Sequence, residues 1–269
     1  MSCASASNVT TTIRILTATD LHQLRVLYDG LEKVVERHKP EIVALVGDAI
    51  DANLDQYCDL PKAECARRLA RLPCDEVVFV RGNHESEGWL PFAESWRTTG
   101  RRLHALNGEA FVHRPLVIVG FPCALGDEIW YLHGRESVPL EADLWFPQIL
   151  RRFGPASRTL WLMHEPPKGT WLSSDGIMSV GAWREAIERF SPWLTVSGHD
   201  HSTPHRHNIW RDAIGQTVCL NLGQKMDGPL HYAVIEVSFE TTKPSLPASM
   251  KITAYPRQES VLLPASVPV

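Results

Sequence analysis

Short all-apolar runs punctuate this chain, and the stretches between them carry helical spacing. Ile13–Ala18, Ile42–Val46 and Val77–Val80 have strand length, and the last two are apolar at every position, as in strands buried on both faces. After the first run, Leu24, Leu27, Leu31, Val34 and His38 share one helical face, and Pro40 closes that helix. Cys65–Leu72 predicts a second helix. Further strands are predicted at Phe111–His113, Leu116–Gly120, Thr159–Met163, Leu194–Ser197, Thr217–Leu222 and Tyr232–Val237, with helices at Glu136–Phe153 and Val180–Phe190. Strand alternating with helix, followed by a strand-rich end, predicts an α/β fold in which helices flank a mixed sheet. No repeat, low-complexity tract or linker breaks the pattern before residue 240. Residues 1–12 read as a disordered N-terminus and 13–240 as the domain. Residues 241–269, with five prolines, read as an extension packing on or trailing from it, with Met250–Tyr255 as an edge strand.

Composition narrows the class. A hydrophobic fraction of 44% over 269 residues fills a sizeable core and excludes a mainly disordered chain. Lys and Arg number 27 against 31 Asp and Glu, a net charge of −4, so neither nucleic acid nor an anionic membrane is an expected partner. No apolar run approaches the ~20 residues of a membrane span, and the first residues lack the basic start and apolar stretch of a secretory signal. The cysteines (Cys3, Cys58, Cys65, Cys74, Cys123, Cys219) lie at wide, irregular spacings without a CxxC pair. They read as reduced thiols of a cytoplasmic protein.

Chemistry concentrates where the predicted strands end. Ile13–Ala18 is followed by Asp20-Leu-His22, Ile42–Val46 by Gly47-Asp48-Ala-Ile-Asp51, and Val77–Val80 by Arg81-Gly82-Asn83-His84-Glu85. His164-Glu165-Pro166-Pro167 follows Thr159–Met163, and Gly198-His199-Asp200-His201 follows Leu194–Ser197. Loops at the carboxyl edge of an α/β sheet converge on the ligand site, so these distant residues are expected to meet. By chance, Gly-Asn-His is expected roughly 0.02 times and Gly-His-x-His roughly 0.03 times in such a chain; Asp-x-His and Gly-Asp alone are weak signals. The residue types suit a two-metal site: a carboxylate can bridge two ions at about 3.5–4 Å. Mixed imidazole, carboxylate and amide ligands suit Mn, Fe or Zn over Mg or Ca.

The ordered set D-x-H, G-D-x-x-D, G-N-H-[DE], a lone H and G-H-x-H resembles the calcineurin-like metallophosphoesterase superfamily, from Asp20 to His201, about two-thirds of the chain. The resemblance implies a four-layer α-β-β-α sandwich, two packed mixed sheets with helices on the outer faces. It implies two divalent metal ions, one held by Asp20, His22, Asp48 and His201, the other by Asp48, Asn83, His164 and His199. It further implies that metal-bound hydroxide attacks phosphorus in line while His84, oriented by Asp51, protonates the leaving oxygen.

Within the superfamily, a protein phosphatase is disfavoured: Asp51 is followed by Ala52-Asn53 rather than Arg-Gly, and His164 by Glu-Pro-Pro rather than Gly-Gly. The acidic balance gives little support to a repair nuclease. His-x-Pro-Pro with Gly-His-x-His about 30 residues later is similar to small bacterial phosphodiesterases, although Glu165 stands where the cyclic-nucleotide branch often has histidine. A phosphodiesterase acting on a small-molecule or nucleotide phosphodiester is the first expectation, and a phosphomonoesterase or nucleotidase the second. A non-catalytic scaffold of the same fold is the third, opposed by retention of every motif residue. Asp200 is expected to point away from the metals, and Asn221-Leu-Gly-Gln224 to pack beside the last motif. Two stretches could wall the site: the aromatic Cys123–Trp145, with Trp130, Tyr131, His133, Arg135 and Trp145, and Lys168–Met178, with Trp171. For the tryptophans of the first, capping of the core at the sheet edge is the favoured reading.

Overall fold

The computed structural model describes residues 10–51, 58–85, 103–106, 108–121, 148, 151–152, 159–173, 178–179, 181–240 and 243–264. Thirteen strands among them form two sheets. The larger runs in the order β13 (Glu259–Pro264), β12 (Lys243–Tyr255), β11 (Tyr232–Glu240), β1 (Thr10–Ala18), β2 (Ile42–Val46), β3 (Glu76–Val80) and β4 (Leu103–Leu106). The smaller runs β5 (Glu109–His113), β6 (Leu116–Phe121), β7 (Thr159–Met163), β8 (Leu194–Ser197), β10 (Thr217–Asn221) and β9 (Arg211–Ile214). Each sheet is mixed. β1 to β4 run parallel in one and β6, β7, β8 and β10 in the other, with antiparallel strands added at the flanks.

Period-two burial sorts the apolar residues into three layers. Ile13, Ile15, Ile42, Ala44 and Val46 of one sheet meet Ile118, Leu160, Leu162, Leu194 and Val196 of the other in a central core. The alternate residues Leu16, Val43, Leu45 and Phe79 pack outward on α1 (Arg25–His38) and α2 (Lys62–Ala70). On the opposite outer face Val119, Phe121, Trp161 and Met163 pack on α3 (Gly181–Phe190), where the Trp183 ring lies 5.3 Å from that of Phe121. This is the expected four-layer α-β-β-α sandwich. Strands apolar on both faces need cover on both, and the two sheets supply one another's inner cover.

Differences from the sequence reading sit at the margins. β4, β9 and β13 were not anticipated; β4 and β9 are short, partly exposed edge strands whose apolar signal is weak. Met250–Tyr255 belongs to the longer β12, which is not an edge: β13 pairs along it and takes the edge itself. The Cys123–Trp145 stretch lies outside the described residues, as does the predicted helix Glu136–Phe153 except for Gln148, Arg151 and Arg152, which are helical. Among the described residues Cys58, Cys65, Cys74 and Cys219 are in no disulfide, and no helix is long and apolar enough to cross a membrane.

Candidate metal centre

The carboxyl ends of β1, β2 and β3 face those of β7 and β8, and the motif residues meet across the seam. Asp20, His22 and His201 form one group whose ligand atoms all lie within 4.8 Å of one another, and Asp48, His164 and His199 form another. Asp48 links them. Its Oδ2 lies 3.1 Å from His164 Nε2, 3.8 Å from His22 Nε2 and 3.9 Å from His84 Nε2. Asp20 Oδ1 also spans the seam, 3.4 Å from His201 Nε2 and 4.0 Å from His164 Nε2. Asn83 Oδ1 completes the second group, 3.1 Å from His164 Nε2. A third group joins His22, Asp51 and His84, in which His84 Nδ1 lies 3.2 Å from Asp51 Oδ1. All nine sequence-predicted site residues therefore come together.

Local backbone form explains how. Asp20, His22, Asp48 and His199 all have φ between +44° and +61°, the left-handed region that L-residues rarely enter. Such strain persists where surroundings over-determine it, and here it turns each side chain off its strand end into the seam. Two glycines give the room: a Cβ on Gly82 would overlap the Asp48 carboxylate, and one on Gly198 would overlap Thr19 and Asp20. Cross-sheet hydrogen bonds then fix the halves together. His199 N donates across the seam to Asp20 Oδ1 and Oδ2, each at 3.2 Å, while within the smaller sheet Gly198 N donates to the His164 carbonyl at 2.8 Å. His164 Nδ1 meets the Val46 carbonyl at 2.9 Å; as the donor it leaves Nε2 free to serve as a ligand atom.

Charge in the seam is tightly coupled. Burial opposes ionisation of Asp20, yet His201 and His164 beside it hold its pKa down at about 2. Asp48, equally buried, is pulled below the ordinary carboxylate range by His164, His22 and His84. His84 goes the other way: despite burial, Asp51 and Asp48 push it up to about 9. His199, driven down to about 4 by burial and by His164, is a neutral imidazole. Its Nε2 is buried with no hydrogen-bond partner. An orphaned imidazole nitrogen beside two buried carboxylates fits a metal ligand.

Several supporting residues carry no motif signal. Gln23, buried and also left-handed, accepts from Asp51 N through Oε1 at 2.7 Å and donates through Nε2 to the Leu60 carbonyl at 2.7 Å. Asp200 turns away, as expected. Its carboxylate caps α4 (Ser202–Arg206), accepting from the backbone N–H and hydroxyl of both Ser202 and Thr203. Asn221 Nδ2 donates to the Asp200 carbonyl at 3.0 Å, so the Asn221–Gln224 turn does pack beside the last motif. His205 and His207 stay out of the centre: His205 Nε2 meets the Gly223 carbonyl, its ring lies 4.3 Å from that of His231, and His207 is exposed. Their spacing alone could not have told them from ligands.

The centre opens on a cavity of about 470 Å³ lined by His22, Asp48, Asp51, Asn83, His84, His199 and His201, and on its apolar side by Leu24, Cys58, Met178 and Met226. Of the Lys168–Met178 stretch only Met178 lines it among the described residues; Trp171 is 73% exposed and its N–H donates to Asp212 instead.

The family model of the calcineurin-like phosphoesterases matches residues 13–203. The chain belongs to that family. Members work with a dinuclear metal site, and the His/Asp groups described above are able to hold metal. An uncharacterized metallophosphoesterase of Aquifex aeolicus (strain VF5) is 28% identical over 198 residues, which span 71% of this chain and 64% of that protein. The fold is similar to that of a dimetal phosphatase from Danio rerio, with a TM-score of 0.65, 14% identity and coverage of 94% of this chain and 99% of that one. TT1561 of Thermus thermophilus superposes with a TM-score of 0.58 at 11% identity, over 94% and 99% of the two chains. At these identities the likeness is one of fold.

Proposed function

We propose that this calcineurin-like phosphoesterase is a dinuclear-metal-dependent phosphodiesterase acting on a small-molecule or nucleotide phosphodiester. The observation that carries the reading is Asp48 Oδ2, which faces His164 Nε2 from one ligand group and His22 Nε2 from the other. One ion would be held by Asp20, His22, Asp48 and His201, the second by Asp48, Asn83, His164 and His199. The donor set suits Mn, Fe or Zn. Divalent ions there would acidify a water toward neutrality and neutralise charge on the phosphoryl oxygens.

The remaining roles belong to the chain. If His84 donates Nδ1–H to Asp51, its Nε2 is the atom presented to the cavity. Asp51 beside His84 favours the protonated form that a leaving oxygen needs. Gln23, gripping Asp51 through the backbone, keeps this pair aligned. Leu24, Cys58, Met178 and Met226 favour a diester, because they offer apolar cover to an ester substituent on the substrate. A cavity of about 470 Å³ suits a small molecule rather than a polymer, in keeping with the net charge of −4.

The test is hydrolysis of bis-p-nitrophenyl phosphate against p-nitrophenyl phosphate with Mn²⁺ added, with His84→Asn as control. Expected are preference for the diester and, in the variant, a fall in kcat of about 10²–10⁴-fold with metal content unchanged. Preference for the monoester would overturn the diesterase reading in favour of a phosphomonoesterase. Silence on both substrates with an empty site would favour a scaffold.

A further inference from the structure

Glu85 is a fully buried acid placed directly after His84, and it lines no cavity among those described. Its carboxylate is committed to backbone. Oε2 accepts the N–H of Asp48 at 2.9 Å and of Gly82 at 2.6 Å, and Oε1 accepts that of Ile50 at 3.1 Å. Asp48 and Ile50 belong to the loop after β2, and Gly82 to the loop after β3. One carboxylate thus gathers three amides from two loops that lie beyond their strand ends, where no ladder bonds them.

What those loops carry gives the contact its meaning. The first bears Asp48, shared between the ligand groups, and Asp51, the partner of His84. The second bears Asn83 and His84 themselves. His84 N donates to Asp48 Oδ1 at 2.9 Å, and the Glu85 bonds enclose that link on either side. We propose that Glu85 is a positioning residue: it clamps the loop of Asp48 and Asp51 onto the turn of Asn83 and His84, so that metal occupancy and alignment of the acid depend on a carboxylate that touches neither metal nor substrate. The inference rests on the dinuclear reading of the site.

The chemistry demands a carboxylate specifically. Glutamine has the same shape, but whichever way its amide is turned, an NH₂ faces at least one backbone N–H, donor against donor. Aspartate keeps both acceptors but is one methylene short of spanning the two loops. Partners that orient ligands from behind typically change metal affinity or activity by about 10–100-fold when replaced.

The experiment compares wild type, Glu85→Gln and Glu85→Asp. Circular dichroism checks the fold, calorimetric titration of metal-stripped protein with Mn²⁺ gives affinity and stoichiometry, and Mn²⁺ electron paramagnetic resonance reads the spin-coupled pair. Turnover of bis-p-nitrophenyl phosphate is split into kcat and KM. Expected for folded Glu85→Gln are Mn²⁺ binding weakened by about 10–100-fold, loss of the coupled-pair signal and a comparable fall in kcat with KM little changed. Glu85→Asp should fall between it and wild type. A folded Glu85→Gln that matches wild type within about twofold in all three readouts overturns the inference and leaves the dinuclear reading standing. Failure of both variants to fold overturns it too, because Glu85 would then be a stability element. Wild type that takes up no Mn²⁺ overturns the dinuclear reading, and this inference with it.

Discussion

The two sheets contribute unequally to the seam they share. The larger supplies the carboxylates Asp20, Asp48 and Asp51, the amide of Asn83 and the imidazoles of His22 and His84, all after three parallel strands. The smaller supplies only imidazoles, His164, His199 and His201, after two. Support differs in the same way. On the larger sheet, buried side chains hold the loops' backbone, as Glu85 does for Asp48 and Gln23 for Asp51. On the smaller, the support is within one turn or from outside the ligand loops: Asp200 accepts the N–H of Ser202 and Thr203 just after it, Asn221 Nδ2 donates to the Asp200 carbonyl, Gly198 N to that of His164, and His199 N to Asp20 across the seam. The larger sheet brings negative charge into a buried place and must fix it firmly. The smaller brings neutral or protonated rings that find their positions against that charge.

If this division is right, damage to the shared Asp48 of the larger sheet should reach both metals, and damage to an imidazole of the smaller only one. Asp48→Asn is the harshest test. It removes the charge shared by both groups, so metal content should fall from about two ions per chain toward none and turnover to background. A fully loaded, active Asp48→Asn would refute the bridging role. His199→Ala should lose one ion of about two, since His199 belongs to a single group, while the other site keeps its affinity. Metal analysis after dialysis distinguishes these outcomes, and loss of both ions in His199→Ala would erase the distinction between sheets. Asn221→Ala should be mildest, a fall of up to about 10-fold in activity, with Mn²⁺ restoring most of it as its concentration rises. No recovery with Mn²⁺ would mean that the turn serves the fold rather than His199 and His201.

Much of this architecture was written in periodicity. Ile42–Val46, Thr159–Met163 and Leu194–Ser197 are strands at the predicted bounds, and each is buried at every position because both its faces are covered. The convergence of the motif residues was legible for a related reason: a motif at the end of a buried strand has one place to go. The left-handed backbone of Asp20, His22, Asp48 and His199 was not legible, because none is a glycine and the strain is imposed by packing across the seam. Gln23 and Glu85 escaped a positioning role because their partners are backbone amides, which every residue carries. The edge strand β9 escaped because Arg211-Asp-Ala-Ile214 lacks an apolar run.

The place of β1 has a consequence for how the molecule is made. It lies in the middle of the larger sheet, and one of its neighbours is β11, with Thr10 opposite Glu240. A ribosome delivers the first strand some 220 residues before that partner, at about 5–20 residues per second, so on the order of 10 to 40 seconds pass before β1 is paired on both sides. Through that interval an apolar strand has an open edge, the kind of edge on which neighbouring nascent chains pair wrongly. The match to the family stops at residue 203, yet a chain cut there would keep every candidate ligand and never acquire β11. Such a fragment should be recovered in aggregates even though its candidate ligands are all present.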